Sequence, residues 1–179
     1  MHISEGILPF HWAALWFAAA VPFVAYGLWR LKVLSRTDIS VVITAAALLI
    51  QALFLAHGGL STWGANILSM GVAGSFAGYG AFRLLRKLHG GLFLAGFAAG
   101  LLADWATYAM TSAELASGIR GDAPFMPLFT KILIAFVPTQ LPLGILEGAM
   151  TAGMVTLLYR KRPDLLVKMR VLRPEEVTA

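Results

Sequence analysis

Residues 39–82 read ISVVITAAALLIQALFLAHGGLSTWGANILSMGVAGSFAGYGAF, and not one of them is Asp, Glu, Lys or Arg. A charge-free run of this length supplies two bilayer crossings of about 20 residues each, with His57-Gly58-Gly59 falling between them. The rest of the chain agrees, because 59% of its 179 residues are hydrophobic and only 13% are charged, whereas soluble domains carry roughly a quarter. The expected fold is all-α, a polytopic transmembrane bundle of about five to seven helices.

Working outward from that run, the first span is Pro9 to Leu31, which ends in Arg30, Lys32 and Arg36. Basic clusters at span ends mark the cytoplasmic side, so the N-terminus is expected outside. Met1 to Gly6 has no Lys or Arg and one acid, Glu5. A signal peptide needs a basic start, so Met1 is expected to remain in the mature chain. The second span, Ile39–Ala56, returns outward and delivers His57 to the face that holds Met1 and His2. The third, Ala65–Phe82, carries Ser69, Gly71, Ala73, Gly74, Ser75, Gly78 and Gly80 and ends inside at Arg83, Arg86 and Lys87. Small residues let helices approach closely in lipid, which places this span inside the bundle. Gly91–Leu115 then runs outward with Asp104 and Glu114, and a loop follows at 118–127.

Pro138 and Pro142 divide the remainder into a short helix, Leu128–Val137, and a full span, Leu141–Tyr159, since proline removes backbone donors. The chain is one integral-membrane domain, 1–179, with an N-terminal loop at 1–8 and a basic cytoplasmic tail at 160–179. The net charge of +5 belongs to these topology markers, and no nucleic-acid partner is implied. With no cysteine, thiolate metal sites and iron–sulfur clusters are excluded. Neither a GxxxxGK[ST] phosphate loop nor an HExxH pair occurs, so ATP is not hydrolysed by this chain.

A free α-amine at Met1, the peptide nitrogen of His2 and the His2 imidazole can close adjacent five- and six-membered chelate rings on one ion. A fourth nitrogen completes a square-planar set, which suits Ni(II) or Cu(II) and can be imposed on Co(II). His11 reads as a rim residue and His89, beside Arg86 and Lys87, as an interfacial one. Asp104 and Glu147 lie in apolar segments, where an ionisable group faces a cavity or a partner. Both a proton or metal station and a structural pairing are consistent with that placement.

The opening Met1-His2-Ile3-Ser4-Glu5-Gly6-Ile7-Leu8-Pro9 resembles the MHIxxGxL start of the CbiM/NikM family, substrate-capture membrane subunits of energy-coupling-factor transporters for cobalt and nickel. Further matches are Pro22 to Gly27, Asp104-Trp105-Ala106-Thr107-Tyr108, Thr111 to Ala116, Pro138-Thr139-Gln140-Leu141-Pro142, Glu147-Gly148 and Tyr159 to Leu166. The resemblance spans nearly the whole chain in order. It implies a transported Co(II) or Ni(II) held by the Met1 amine, the His2 amide nitrogen and imidazole, and a loop imidazole. It also implies a transmembrane coupling subunit, two cytoplasmic ATPase subunits, an accessory membrane protein and a place in the inner (plasma) membrane, with no organic cofactor.

In the family pattern the loop histidine follows a GxSxH stretch, whereas here His57 precedes Gly58-Gly59 and none follows through Asn66. His57 supplies the fourth nitrogen through a shifted loop, or the position falls to Asn66, Ser61, water or nothing. Glu5, Ser61, Thr62 and Asn66 are the expected supporting residues. Gly71, Gly74 and Gly78, or Ala95 and Ala99, serve either as docking faces for the coupling subunit or as internal packing. The rival reading is an intramembrane metalloenzyme that uses His2, His57 and a carboxylate such as Glu147.

Overall fold

The computed structural model describes residues 3–30, 36–55, 57–168, 171, 172 and 174. Met1, His2, the α1–α2 connection at 31–35, Ala56 and part of the C-terminal tail lie outside the described residues. Among those described there is no strand, and seven α-helices follow in order: α1 (Phe10–Arg30), α2 (Arg36–Phe54), α3 (Trp63–Asn66), α4 (Ser75–Lys87), α5 (Leu92–Ile119), α6 (Phe125–Lys161) and α7 (Pro163–Lys168). Between α3 and α4 the chain is π-helical over Ile67–Gly74, so Trp63–Lys87 forms one continuous rod. Among the described residues three helices are long and apolar enough to cross a membrane, Phe10–Trp29, Leu92–Ile119 and Phe125–Lys161. The apolar part of α2, Ser40–Phe54, is shorter.

Local chemistry sets the helix ends. The Pro9 carbonyl accepts the first α1 bonds from the amides of Trp12 and Ala13 at 3.0 Å each, and proline costs nothing at a position whose own N–H has no helical partner. After α4, His89 adopts φ 60 while the Gly90 amide bonds Leu85 O at 2.8 Å and the His89 amide bonds Arg86 O at 3.2 Å. That pair of bonds is a Schellman cap. His89 is thereby a turn residue at the basic end of the rod.

The division of α6 at its prolines is corrected by the structure: Phe125–Lys161 is a single helix of 37 residues. Gln140, Gly144, Gly148 and Ala152 form the buried stripe of α6, whereas Pro138 and Pro142 are exposed on its outer side. The disturbance that each ring causes falls away from the seam with α5, and packing carries the helix through.

That seam is closed by small residues. A Cβ built on Gly96 would meet Ala152 Cα at 3.1 Å, and one on Gly100 would meet Glu147 O at 2.7 Å and Gly148 Cα at 2.9 Å. The π-helical rod uses the same device against α5, with Gly74 facing Thr107 and Gly78 facing the Ala99 carbonyl at 2.9 Å. Gly71, Gly74, Gly78 and Ala95 are all buried within the chain, so of the two roles left open for them the structure assigns internal packing. Gly100→Leu is expected to wedge α5 from α6 and cost about 3 kcal/mol, the upper range for overpacking. Thermal unfolding in detergent measures it, with Gly153→Leu as control because nothing lies within 4 Å of that site.

These contacts run antiparallel from α4 to α5 to α6. Arg83, Arg86 and Lys87 therefore share one end of the bundle with Arg160, Lys161 and Arg162. Gly118 packs on Leu8 and Pro9 at the opposite end, where the N-terminal segment enters.

Candidate metal centre

The N-terminal segment dives into the bundle rather than lying on it. Ile3 is 2% exposed and Leu8 is 4% exposed, while residues 4–7 between them are exposed. Ile3, Leu8, Ala13 and Ala65 form a small core against Trp16 and Leu115. Gly6 turns the chain with φ 78, which glycine adopts without strain.

Ile3 is held through both of its backbone groups. Its N–H donates to Asn66 Oδ1 at 2.9 Å, and its carbonyl accepts from the Thr62 hydroxyl at 2.6 Å and from Asn66 Nδ2 at 3.3 Å. The Asn66 side-chain amide thus pairs with a peptide as another backbone would. Thr62 and Asn66 are 0% and 1% exposed, and a buried peptide group without such partners is costly. One turn further, the Ser69 hydroxyl caps the Ala65 carbonyl at 3.1 Å. Thr62, Asn66 and Ser69 recur at helical spacing on one buried face of α3 and the π segment, and the first two meet the inserted chain.

Glu5 makes the second anchor, its carboxylate accepting from the Ser61 amide at 3.3 and 3.2 Å. Gly59 lies against the Glu5 backbone so closely that a Cβ would fall 2.8 Å from the Glu5 nitrogen. The two segments pair in antiparallel sense, Ile3 with Thr62 and Asn66, Glu5 with Gly59 and Ser61. Hydrogen bonding from Ser61 holds the Glu5 carboxyl below the usual carboxylate range. A depressed acid stabilises the folded state above its unfolded pKa, and that contribution is lost as pH falls through the folded value. The protection of the Ser61 amide against hydrogen exchange is expected to hold at neutral pH and to decline only below about pH 4.3. In Glu5→Gln the acid-dependent part of that decline should disappear.

The expected supporting residues Glu5, Ser61, Thr62 and Asn66 are therefore brought together around Ile3. Met1 and His2 lie outside the described residues, but Ile3 is the residue to which they are joined. His57 sits at the same end of the bundle, exposed, with its amide on Gln51 O at 3.2 Å, on the Glu5 side of the loop rather than the Ile3 side. His11 is exposed beside Trp12, 6.1 Å between ring centroids. Among the described residues no three His, Cys, Asp or Glu gather to hold a metal ion. Sequence reading passed over the burial of Glu114, which is 0% exposed with neither oxygen bonded. Its signal was present in the stripe Thr107, Thr111, Glu114, Gly118 along one face of α5.

A helical bundle with membrane-spanning helices, which admits its own N-terminal segment at the end away from its basic residues, defines an integral-membrane protein. Two solved structures share this fold. A transition metal transporter matches with a TM-score of 0.74 at 20% identity, over 96% of this chain and 99% of that one. A truncated transition metal transporter matches with 0.75 at 24%, over 89% and 99%.

The chain belongs to the CbiM family, described as the cobalt uptake substrate-specific transmembrane region, which it matches over residues 2–47 and 33–165. It is 56% identical over 218 residues to the cobalt transport protein CbiM of Geobacter sulfurreducens, covering 96% of this chain but only 63% of that relative's length. To the protein of the same name from Sorangium cellulosum it is 42% identical over 219 residues, with 97% of both chains covered. Both alignments are about 40 residues longer than this entire chain, and the two family-matched stretches overlap at 33–47. The relatives therefore carry at least that many positions that this chain lacks.

Proposed function

We propose that this chain is the substrate-capture subunit of an energy-coupling-factor importer and binds Co(II) or Ni(II) from the outer side of the inner membrane. The ligands are the Met1 amine, the His2 amide nitrogen and imidazole, and His57 in the fourth position. The observation that carries the reading is the double clamp on Ile3 by Thr62 and Asn66, which roots the chelating residues at one place in the bundle. A flexible chelator spends binding energy on ordering, and anchoring removes much of that cost. Planar nitrogen donors favour borderline transition ions over Mg(II) or Ca(II), which take oxygen shells. Uptake is powered by two cytoplasmic ATPase subunits through a transmembrane coupling subunit, with a small accessory membrane protein. The basic ends of α4 and α6 and the C-terminal tail face the cytoplasm.

A second reading of the fourth position rests on the positions, about 40, that the relatives carry and this chain does not. If the GxSxH histidine implied by the resemblance belongs to them, three N-terminal nitrogens bind the ion and an oxygen from solvent or Asn66 completes it. His57→Ala separates the two. A tenfold or larger loss of Ni(II) affinity by calorimetry supports His57, and unchanged affinity supports the second reading. The metalloenzyme reading requires turnover by the isolated chain, and a stoichiometric transport subunit has none.

A further inference from the structure

The outward side of α6 is apolar, with Leu143, Leu146, Met150 and Met154 exposed, and Glu147 is exposed among them. Glu147 precedes Arg160 by 13 residues, about 20 Å along a helix. The hydrocarbon layer is about 30 Å deep, which puts this carboxylate near mid-membrane. An ionisable group there is expensive unless it meets a partner, and no hydrogen bond or ion pair reaches Glu147 from the described residues.

Behind it the seam between α5 and α6 holds further unmet polar groups. Asp104 and Gln140 are 6% and 7% exposed, yet Asp104 Oδ2, Gln140 Oε1 and Trp105 Nε1 have no hydrogen-bond partner. Gly144 leaves the space between them, since a Cβ there would lie 2.8 Å from Asp104 Oδ2 and 2.6 Å from Trp105 Nε1. Gly144 is one turn from both Gln140 and Glu147. These groups lie within the seam, behind the open helix face that carries Glu147.

We propose that this face of α6 is where the coupling subunit docks, through a transmembrane helix that presents an Arg or Lys to Glu147 at mid-membrane. The inference rests on the proposed function, because it requires a membrane partner. Buried charged pairs set register and partner choice when every acceptor is met, and a guanidinium can bond both oxygens of the Glu147 carboxylate. The small-residue faces of the rod and of α5 are used up inside the chain, which leaves α6 as a face with both exposed surface and unmet charge.

The test is co-purification of the full complex by a tag on an ATPase subunit, with Glu147→Arg and Glu147→Gln in this chain. Metal loading of each isolated variant reports that it has folded. Glu147→Arg is expected to load metal normally and to lower recovery with the coupling subunit at least tenfold. Reversal of the facing basic residue in the coupling subunit should restore it. Since the chain has no cysteine, Glu147→Cys gives a single crosslinking position, and crosslinks should run to one partner helix. Wild-type recovery with Glu147→Arg would overturn the proposal, as would intact assembly combined with blocked metal passage in Glu147→Gln, which would make the group a cation station. If the wild-type chain recovers no coupling subunit, the importer reading fails as well.

Discussion

Placing a tag of several residues ahead of Met1, so that the new α-amine lies out of reach of the His2 imidazole, is expected to weaken Co(II) and Ni(II) binding at least 100-fold, with the bundle intact. The extension converts the primary amine into a peptide nitrogen, and the five-membered ring between residues 1 and 2 can no longer close on an amine. Nothing in the bundle replaces it, since no group of three metal-ligating side chains occurs among the described residues. Binding measured by calorimetry on matched preparations, with and without the extension, checks the result. An acetylated terminus should behave in the same way.

The second large effect belongs to Asn66. Asn66→Leu removes the acceptor of the Ile3 N–H and one donor to the Ile3 carbonyl, while the Thr62 hydroxyl still reaches that carbonyl. One buried amide is left without a partner, a cost of about 2 kcal/mol, and the strand is expected to leave its groove. Because 1.4 kcal/mol is a factor of ten, metal affinity should fall by about thirtyfold. Asn66 lies inside a continuous helical rod with Ser69 and Ala65 still paired, so the helix itself survives. The discriminating observation is lost protection of the Ile3 amide in a variant with wild-type helicity.

The bundle was legible in the chain because lipid restricts what apolar segments can form: a charge-free run such as 39–82 has few alternatives to paired helices. The gathering of Arg83–Lys87 and Arg160–Arg162 at one end of the bundle was legible for the same reason. The prolines misled, because their effect depends on which side of the helix they face. Pro138 and Pro142 face out, and only the packing of Gly144 and Gly148 against α5 reveals that. At the site, Glu5, Ser61, Thr62 and Asn66 were found from nearness to the terminus and the loop. The reciprocal bond between Asn66 and the Ile3 peptide was not, since it joins residues 63 apart in sequence through backbone atoms that every residue has. The positions that the relatives carry and this chain lacks left no mark in this sequence and emerged only from alignments longer than the chain.

The visible absorption spectrum of the purified chain loaded with Ni(II) bears most directly on the central assignment. Four donors in a plane, with the deprotonated residue-2 amide among them, predict the single d–d band of a diamagnetic square-planar ion. The weak multiple bands of a paramagnetic octahedral ion would contradict the N-terminal chelate.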